Sequence, residues 1–371
     1  MIKICHMTSA HTAEDDRIFF KECCSLANAG FETYLVAHGE SYVKNGVNIT
    51  GIGDAPKSRL KRMLSGSKKV YKKALELNAD IYHFHDPELL PYGLKLKKSG
   101  KKVIFDSHEF YREQIRSKNY LPAWILSIIA KCYELYEDRI LRKIDAIIFP
   151  CTINGKNPFE GHCKRTVIIS NAAILGEFFN LYNQDTPKIP DSACYVGGLT
   201  EARGITSNII ASHKAGAKLL LAGNYASDEY KEELQKMPEF SCVEYKGLLD
   251  RKGVTDLLSH SIIGLCTLLD RGQYLKIDTF GIKVYEYMSM GMPVVLSNSN
   301  YNNKMVQKYK IGLCVDPDNT DEMAKAIRYI LDNPEEAKRM GENGRKAIKE
   351  EFNWGVEEKK LLALYDDILN N

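Results

Sequence analysis

The sequence has no Cys-x-x-Cys pair, although it contains ten cysteines in 371 residues. That absence argues against a zinc site. Cys5, Cys194, Cys242, Cys266 and Cys314 lie in or beside apolar runs. They read as small core hydrophobes of a reducing compartment, not as a disulfide scaffold. No run of about 18 apolar residues occurs, which excludes a membrane-spanning helix. The opening MIKICHMTSAHTAEDD turns polar after one short strand and does not read as a secretory signal. The first strand is followed by SAHTAEDDRI, which has no glycine. A dinucleotide-binding Gly-x-Gly-x-x-Gly turn is therefore missing, which counts against a dehydrogenase. No internal repeat or low-complexity tract interrupts the chain.

What is present is a soluble composition, 44% hydrophobic and 27% charged, at a length that calls for two domains. The net charge of +3 hides an asymmetry: residues 1–180 hold 27 Lys/Arg against 20 Asp/Glu, and the remainder 24 against 28. Much of the excess lies in KSRLKRMLSGSKKVYKK, residues 57–73, with eight bases and no acid. Leu60, Met63, Leu64, Tyr71 and Ala74 fall near one helical face there. A basic amphipathic helix favours anionic lipid surfaces, though a plain solvated helix has the same composition. Nucleic acid is not expected as a partner, because Tyr71 is the only stacking group in the segment.

Short β-rich runs alternate with helical patterns throughout. IKICHM, ETYLVAH, VNITGIG, DIYHFHD, KVIFDSHE, AIIFP and TVIIS come first; ACYVGG, KLLLAG, VEYKG, IIGLCTL, PVVLSN and GLCVDP start a second series. Such alternation predicts parallel sheets covered on both faces, in two Rossmann-like domains facing a central cleft. The boundaries are expected at 1–185 and 190–354, with the polar segment 180–192 as hinge. A last helix, 355–371, is expected to return to the first domain. Ligands of such sheets sit beyond the carboxyl ends of strands, against helix N-termini. His85 and Asp86 follow one strand, His108 and Glu109 another. His11, Asp16 and Arg17 occupy the first strand–helix loop, as ligand contacts or as a structural Asp–Arg pair. In KVYEYMSMGMPVVLSN (283–298), Glu286 sits just inside a helix, as a ligand contact or as an offset to the helix dipole.

In their order, HTAEDDRIFFKECCSLANAGFE (11–32), IYHFHDPELLPYGLKLKKSGKKVIFDSHE (81–109), YVGGLTEARGI (195–205), YKGLL (245–249), KVYEYMSMGMPVVLSN and GLCVDPDNTDEMAKAI (313–328) resemble the family-4 retaining glycosyltransferases of the GT-B fold. The similarity is greatest to bacterial members that build capsule or O-antigen polysaccharides. The resemblance implies a nucleotide-sugar donor, UDP favoured over GDP, a glycan or lipid-linked glycan acceptor, and neither cofactor nor metal. It places Glu286 on the ribose hydroxyls and the backbone of Phe280, Gly281 and Ile282 on phosphate. Asp278, eight positions before Glu286, would touch the donor sugar or cap the helix. Gly198 stands where the family often has Arg; Arg203 fills the second basic position and would grip the diphosphate. Lys283 or Lys276 could replace the missing base. His108 would contact donor sugar or diphosphate, and Glu109 would face the acceptor. The expected setting is the cytoplasm, peripheral to the inner face of the cell membrane. A sugar-nucleotide epimerase of the same fold and a non-catalytic nucleotide-binding partner of an assembly complex are the alternatives.

Overall fold

The computed structural model describes residues 1–56, 58, 61–116, 118, 121–271 and 274–370. Its chain divides into two compact units, Met1–Asn171 with Gly355–Asn371, and Ala172–Trp354. The segment expected to be the hinge, 180–192, belongs to the second unit. Its Lys188 ammonium donates to the Ser259 carbonyl at 2.7 Å, and the Ile189 N–H to the His260 carbonyl at 2.8 Å.

The first unit is an eight-stranded sheet: β1 (Lys3–Met7), β2 (Glu32–Ala37), β3 (Tyr42–Lys44), β4 (Val47–Gly51), β5 (Ile81–Phe84), β6 (Lys102–Asp106), β7 (Ala146–Phe149) and β8 (Thr166–Ile168). The order is β3-β4-β2-β1-β5-β6-β7-β8, parallel except for the β3–β4 edge pair. All four residues of β5 and of β7 are buried, as a parallel sheet covered on both faces requires. Between β1 and β2 the chain winds as a π-helix over Asp16–Cys23 and an α-helix over Cys24–Asn28. The helices α1 (Ser67–Leu77) and α2 (Ala123–Leu141) follow. The C-terminal helix, Trp354–Asn370, is fixed to this unit through Glu357, whose Oε2 accepts the Ser170 N–H at 2.9 Å.

The second unit carries β9 (Ser192–Val196), β10 (Lys218–Ala222), β11 (Val243–Tyr245), β12 (Ile263–Cys266), β13 (Val294–Ser297) and β14 (Gly312–Val315). They run β11-β10-β9-β12-β13-β14, every pair parallel. Its helices include α3 (Ile205–Lys214), α4 (Arg251–His260) and α5 (Ile282–Ser289). Gly291 ends α5 in a left-handed conformation with φ +65°, which places the Met292 N–H on the Tyr287 carbonyl at 3.0 Å. Pro293, lacking an N–H, then commits the chain to β13.

Tyr287 is fully buried, and its ring lies over Gly264 of β12, where a Cβ would approach to 2.3 Å. The pairing of a bare backbone with a large ring locks α5 onto the sheet. Gly264→Ala is expected to cost about 1–3 kcal/mol through overpacking. Urea unfolding of the variant measures this, and an unchanged midpoint would mean the ring shifts without penalty.

Candidate functional site

In the second unit, the carboxyl ends of β12 and β13 open onto a hollow of about 270 Å³. Arg203, Tyr274, Gly281, Lys283 and Ser297 are among its walls. Nearby, the ends of β9 and β10 frame a hollow of about 220 Å³ between Gly197–Gly198, Gly223–Asn224 and Leu248–Leu249. Gly223 has φ +137°, and a Cβ there would fall 1.8 Å from the Gly197 carbonyl oxygen. Two strand ends can meet this closely only through glycine.

The helix α5 begins at Gly281, and among the described residues no side chain caps it. Among the described residues nothing lies within 4 Å of the place a Gly281 Cβ would take, so its first turn can be approached closely. Arg203 Nη1 lies 3.4 Å from the Cβ position of both Gly197 and Gly198. Lys283 Nζ lies 3.5 Å from that of Gly197, with its ammonium 4.7 Å from the centre of the Tyr195 ring. Two cations and an uncapped helix start thus converge, an arrangement suited to a polyanion such as a diphosphate. Lys276 is exposed and does not line the hollow.

The Phe280 ring is buried against Tyr285, Tyr301 and Phe352, at 5.8, 5.2 and 5.6 Å, which leaves its backbone for a ligand. Ile282 lines the larger hollow. Asp278 is half-buried in the extended pair Ile277–Asp278 and does not cap α5, since Gly281 occupies that position. Glu286 lines neither hollow. Its carboxylate accepts from Arg251 Nη1 at 3.0 Å, while Arg251 also pairs with Glu177 and stacks on Phe178 at 4.5 Å. Sequence reading missed Arg251, because its partners lie far away along the chain; its place just after YKGLL was the available signal.

In the first unit, three expected ligand contacts prove to be buried structure. Arg17 is 4% exposed: its Nε and Nη2 donate to Asp106 at 2.7 and 3.0 Å, and Nη1 to the Ile169 carbonyl. The structural pair is therefore Arg17–Asp106, and Asp16 instead lies 3.8 Å from Lys21. Asp86 accepts from the Thr8 hydroxyl at 2.8 Å and from the N–H groups of Ser9 and Ala10, holding the first loop in place. His85 is fully buried, and burial pulls its pKa down to about 4 despite Asp106 nearby. Burial also works against the charge of Asp106, yet Arg17 and His108 hold that carboxyl well below the usual range.

His108 remains accessible, with Nε2 3.2 Å from Asp106 Oδ2. The His11 ring packs edge-on against it at 4.7 Å, with Nε2 3.5 Å from Asp86. Glu109 is half-buried beside them, its carbonyl accepting the Ser107 hydroxyl. His108 thus presents one imidazole from a rigid polar floor, with Glu109 and His11 alongside.

Residues 184–347 match the family model described as glycosyl transferases group 1, and residues 20–154 that of glycosyltransferase family 4. The two glycosyltransferase family models match one in each unit, and the fold is of the GT-B type. Among curated relatives, an alpha-D-kanosaminyltransferase of Streptomyces kanamyceticus is 26% identical over 47% of this chain. That match takes in 45% of the relative's length, less than half. An O-antigen chain mannosyltransferase C of Escherichia coli is 20% identical over 77% of this chain and 75% of its own. The solved structure of Anabaena HepE in complex with UDP and glucose superposes with a TM-score of 0.69 over 99% of this chain and 100% of that one, at 14% identity. This likeness bears on the fold of this GT-B chain.

Loss of a charge-assisted hydrogen bond costs roughly 1.5–3 kcal/mol. Arg203→Met and Lys283→Met should therefore each weaken UDP binding about tenfold or more in calorimetry, with little effect on uridine. Equal losses for UDP and uridine would place these cations away from the phosphates.

Proposed function

We propose that this GT-B protein transfers a sugar from a nucleoside diphosphate sugar, UDP favoured over GDP, to a glycan acceptor that is lipid-linked and destined for a surface polysaccharide. The observation that carries the reading is the convergence of Arg203, Lys283 and the uncapped start of α5 at strand carboxyl ends of the second unit. The solved relative that holds UDP and glucose supports the choice of nucleotide. The O-antigen mannosyltransferase, matched over three quarters of its length, supports the acceptor class.

In this proposal the amides around Gly281 and the Arg203 and Lys283 cations hold the diphosphate, and Glu286 receives the ribose hydroxyls through its two acceptor oxygens. The bond between the anomeric carbon and the β-phosphate oxygen breaks, and the electron pair leaves with the diphosphate. The acceptor hydroxyl attacks from the same face and gives its proton to the departing phosphate oxygen, so configuration is retained. The cations stabilise the charge that grows on the leaving group. His108 contacts the substrate and Glu109 the acceptor.

The basic segment supports a membrane-surface location, in a form different from the expected one. Leu60 lies outside the described residues. Ala74 is buried and Tyr71 stacks on Tyr92 at 4.8 Å, so the apolar stripe of α1 faces inward. Lys68, Lys69 and Lys72 remain exposed, as do Met63 and Leu64. A hollow of about 560 Å³ joins Met63 and Leu64 to Tyr133 and Tyr136 of α2. On α2, Trp124, Ile128 and Leu135 are 67%, 55% and 61% exposed, an apolar face of the kind that enters lipid headgroups.

Incubation with UDP-sugars and a lipid-linked glycan fraction should give acceptor-dependent release of UDP and a product of retained anomeric configuration. Free sugar and UDP released without acceptor would favour the epimerase class instead. Glu286→Ala should stay folded yet bind donor at least tenfold more weakly, the equivalent of about 1.4 kcal/mol; parental affinity would remove Glu286 from the ribose. For the membrane, each exposed base is worth up to about 1 kcal/mol near an anionic surface. The protein should co-sediment with anionic vesicles and come off as salt rises, and replacing Lys61, Arg62, Lys68 and Lys69 with Gln should abolish sedimentation. Sedimentation equal to the parent's would assign the segment to solvent.

A further inference from the structure

His6 of β1, Glu22 of the π-helix, and His83 and His85 at the end of β5 form a cluster with no exposed surface. His83 and His85 alternate with Phe84, so their side chains share one face of the sheet. Glu22 Oε2 stands 3.9 Å from His6 Nδ1, 3.8 Å from His83 Nε2 and 4.0 Å from His85 Nε2. His6 Nδ1 and His85 Nε2 are 3.0 Å apart. All four ligand-type atoms lie within 4.8 Å of one another.

The carboxylate distances are too long for hydrogen bonds. They approach the ~3.4 Å edge of a tetrahedron whose centre lies ~2.1 Å from nitrogen and oxygen ligands. Both Glu22 oxygens and His83 Nε2 are buried with no hydrogen-bond partner among the described residues. Buried polar groups are ordinarily satisfied, so the convergence of these three atoms calls for an occupant.

The neighbouring cation is already engaged. Two buried carboxyl groups, Glu22 and Asp106, lie beside Arg17, whose Nε is 3.2 Å from Glu22 Oε1 but donates to Asp106. Arg17 thus serves Asp106 and leaves the Glu22 oxygens without a donor among the described residues.

The nitrogens facing away from the cluster are oriented as those of metal ligands are. His83 Nδ1 meets the Tyr365 hydroxyl at 2.8 Å, and His6 Nε2 meets the same oxygen at 3.4 Å. His85 Nδ1 lies 3.4 Å from Asp106 Oδ2, a carboxylate–histidine pair of the kind that fixes an imidazole on a metal.

We propose that His6, Glu22, His83 and His85 bind one divalent cation, zinc by the preference of a tetrahedral imidazole–carboxylate set. Four protein ligands leave no open position, so the ion is structural. It ties β1, β5 and the π-helix together, and through His85 and Asp106 it stiffens the floor on which His108 rests. The proposal is independent of the glycosyl-transfer reading.

The test begins with elemental analysis of the full chain, purified without added metal and dialysed against chelator. Because the ligands are inaccessible, about one zinc per chain is expected to survive. Refolding the parent from denaturant with zinc should give a higher melting temperature than refolding in chelator. Refolding with cobalt should give the intense visible absorption of a tetrahedral centre. Glu22→Gln should lose at least nine tenths of the bound metal and melt lower. A metal-free parent whose melting temperature ignores zinc on refolding would overturn the proposal. So would a Glu22→Gln protein as stable as the parent and equally metal-free, since Glu22 would then be a protonated acid that an amide can replace.

Discussion

The Arg17–Asp106 pair is the constraint on which the first unit's polar floor depends. A guanidinium from the first helical segment reaches the end of β6 with two hydrogen bonds and donates a third to the Ile169 carbonyl. Segments 89 and 152 residues apart are thereby joined inside a dry interior. Removing one partner from such a pair costs about 3–5 kcal/mol, because the survivor is left charged and unsolvated. Asp106 in turn faces His85 and His108, so the pair sets the charge environment of both imidazoles. The accessible His108 is therefore presented by an arrangement whose other members are structural.

The second unit solves a different problem, which is how to bring a polyanion against the backbone. Glycine supplies the answer at Gly223, where a Cβ would run into the Gly197 carbonyl, and at Gly281, where a helix starts with no side-chain cap among the described residues. The Tyr287–Gly264 contact holds that helix on the sheet. Arg203 and Lys283 then supply charge where the backbone supplies oriented N–H groups. One unit thus specialises in buried, compensated charge and the other in half-buried, convergent positive charge.

Much of the architecture was legible because its causes are local. Short strands separated by helical segments, with β5, β7, β12 and β13 buried at every position, define parallel sheets covered on both faces. The stretch around Glu286 could be read to the residue: Gly291 ends the helix and Pro293 starts the strand. The same locality put His108, Gly281 and Lys283 at strand ends and helix starts. It also misled. Arg17, His85 and Asp86 sit in loop-like positions along the sequence, yet the fold closes over them, and the segment 180–192 has a hinge's composition but bonds to α4.

By itself, then, the sequence determined the alternation of strands and helices, the GT-B resemblance and the candidate set of site residues, since periodicity, turn chemistry and motif order are properties of neighbours. Tertiary structure alone decided which polar groups are buried, and with which partners. Burial and pairing depend on contacts between residues tens of positions apart. That is why Arg251 beside Glu286, Arg17 on Asp106, and the meeting of His6, Glu22, His83 and His85 left no trace in the spacing of the sequence.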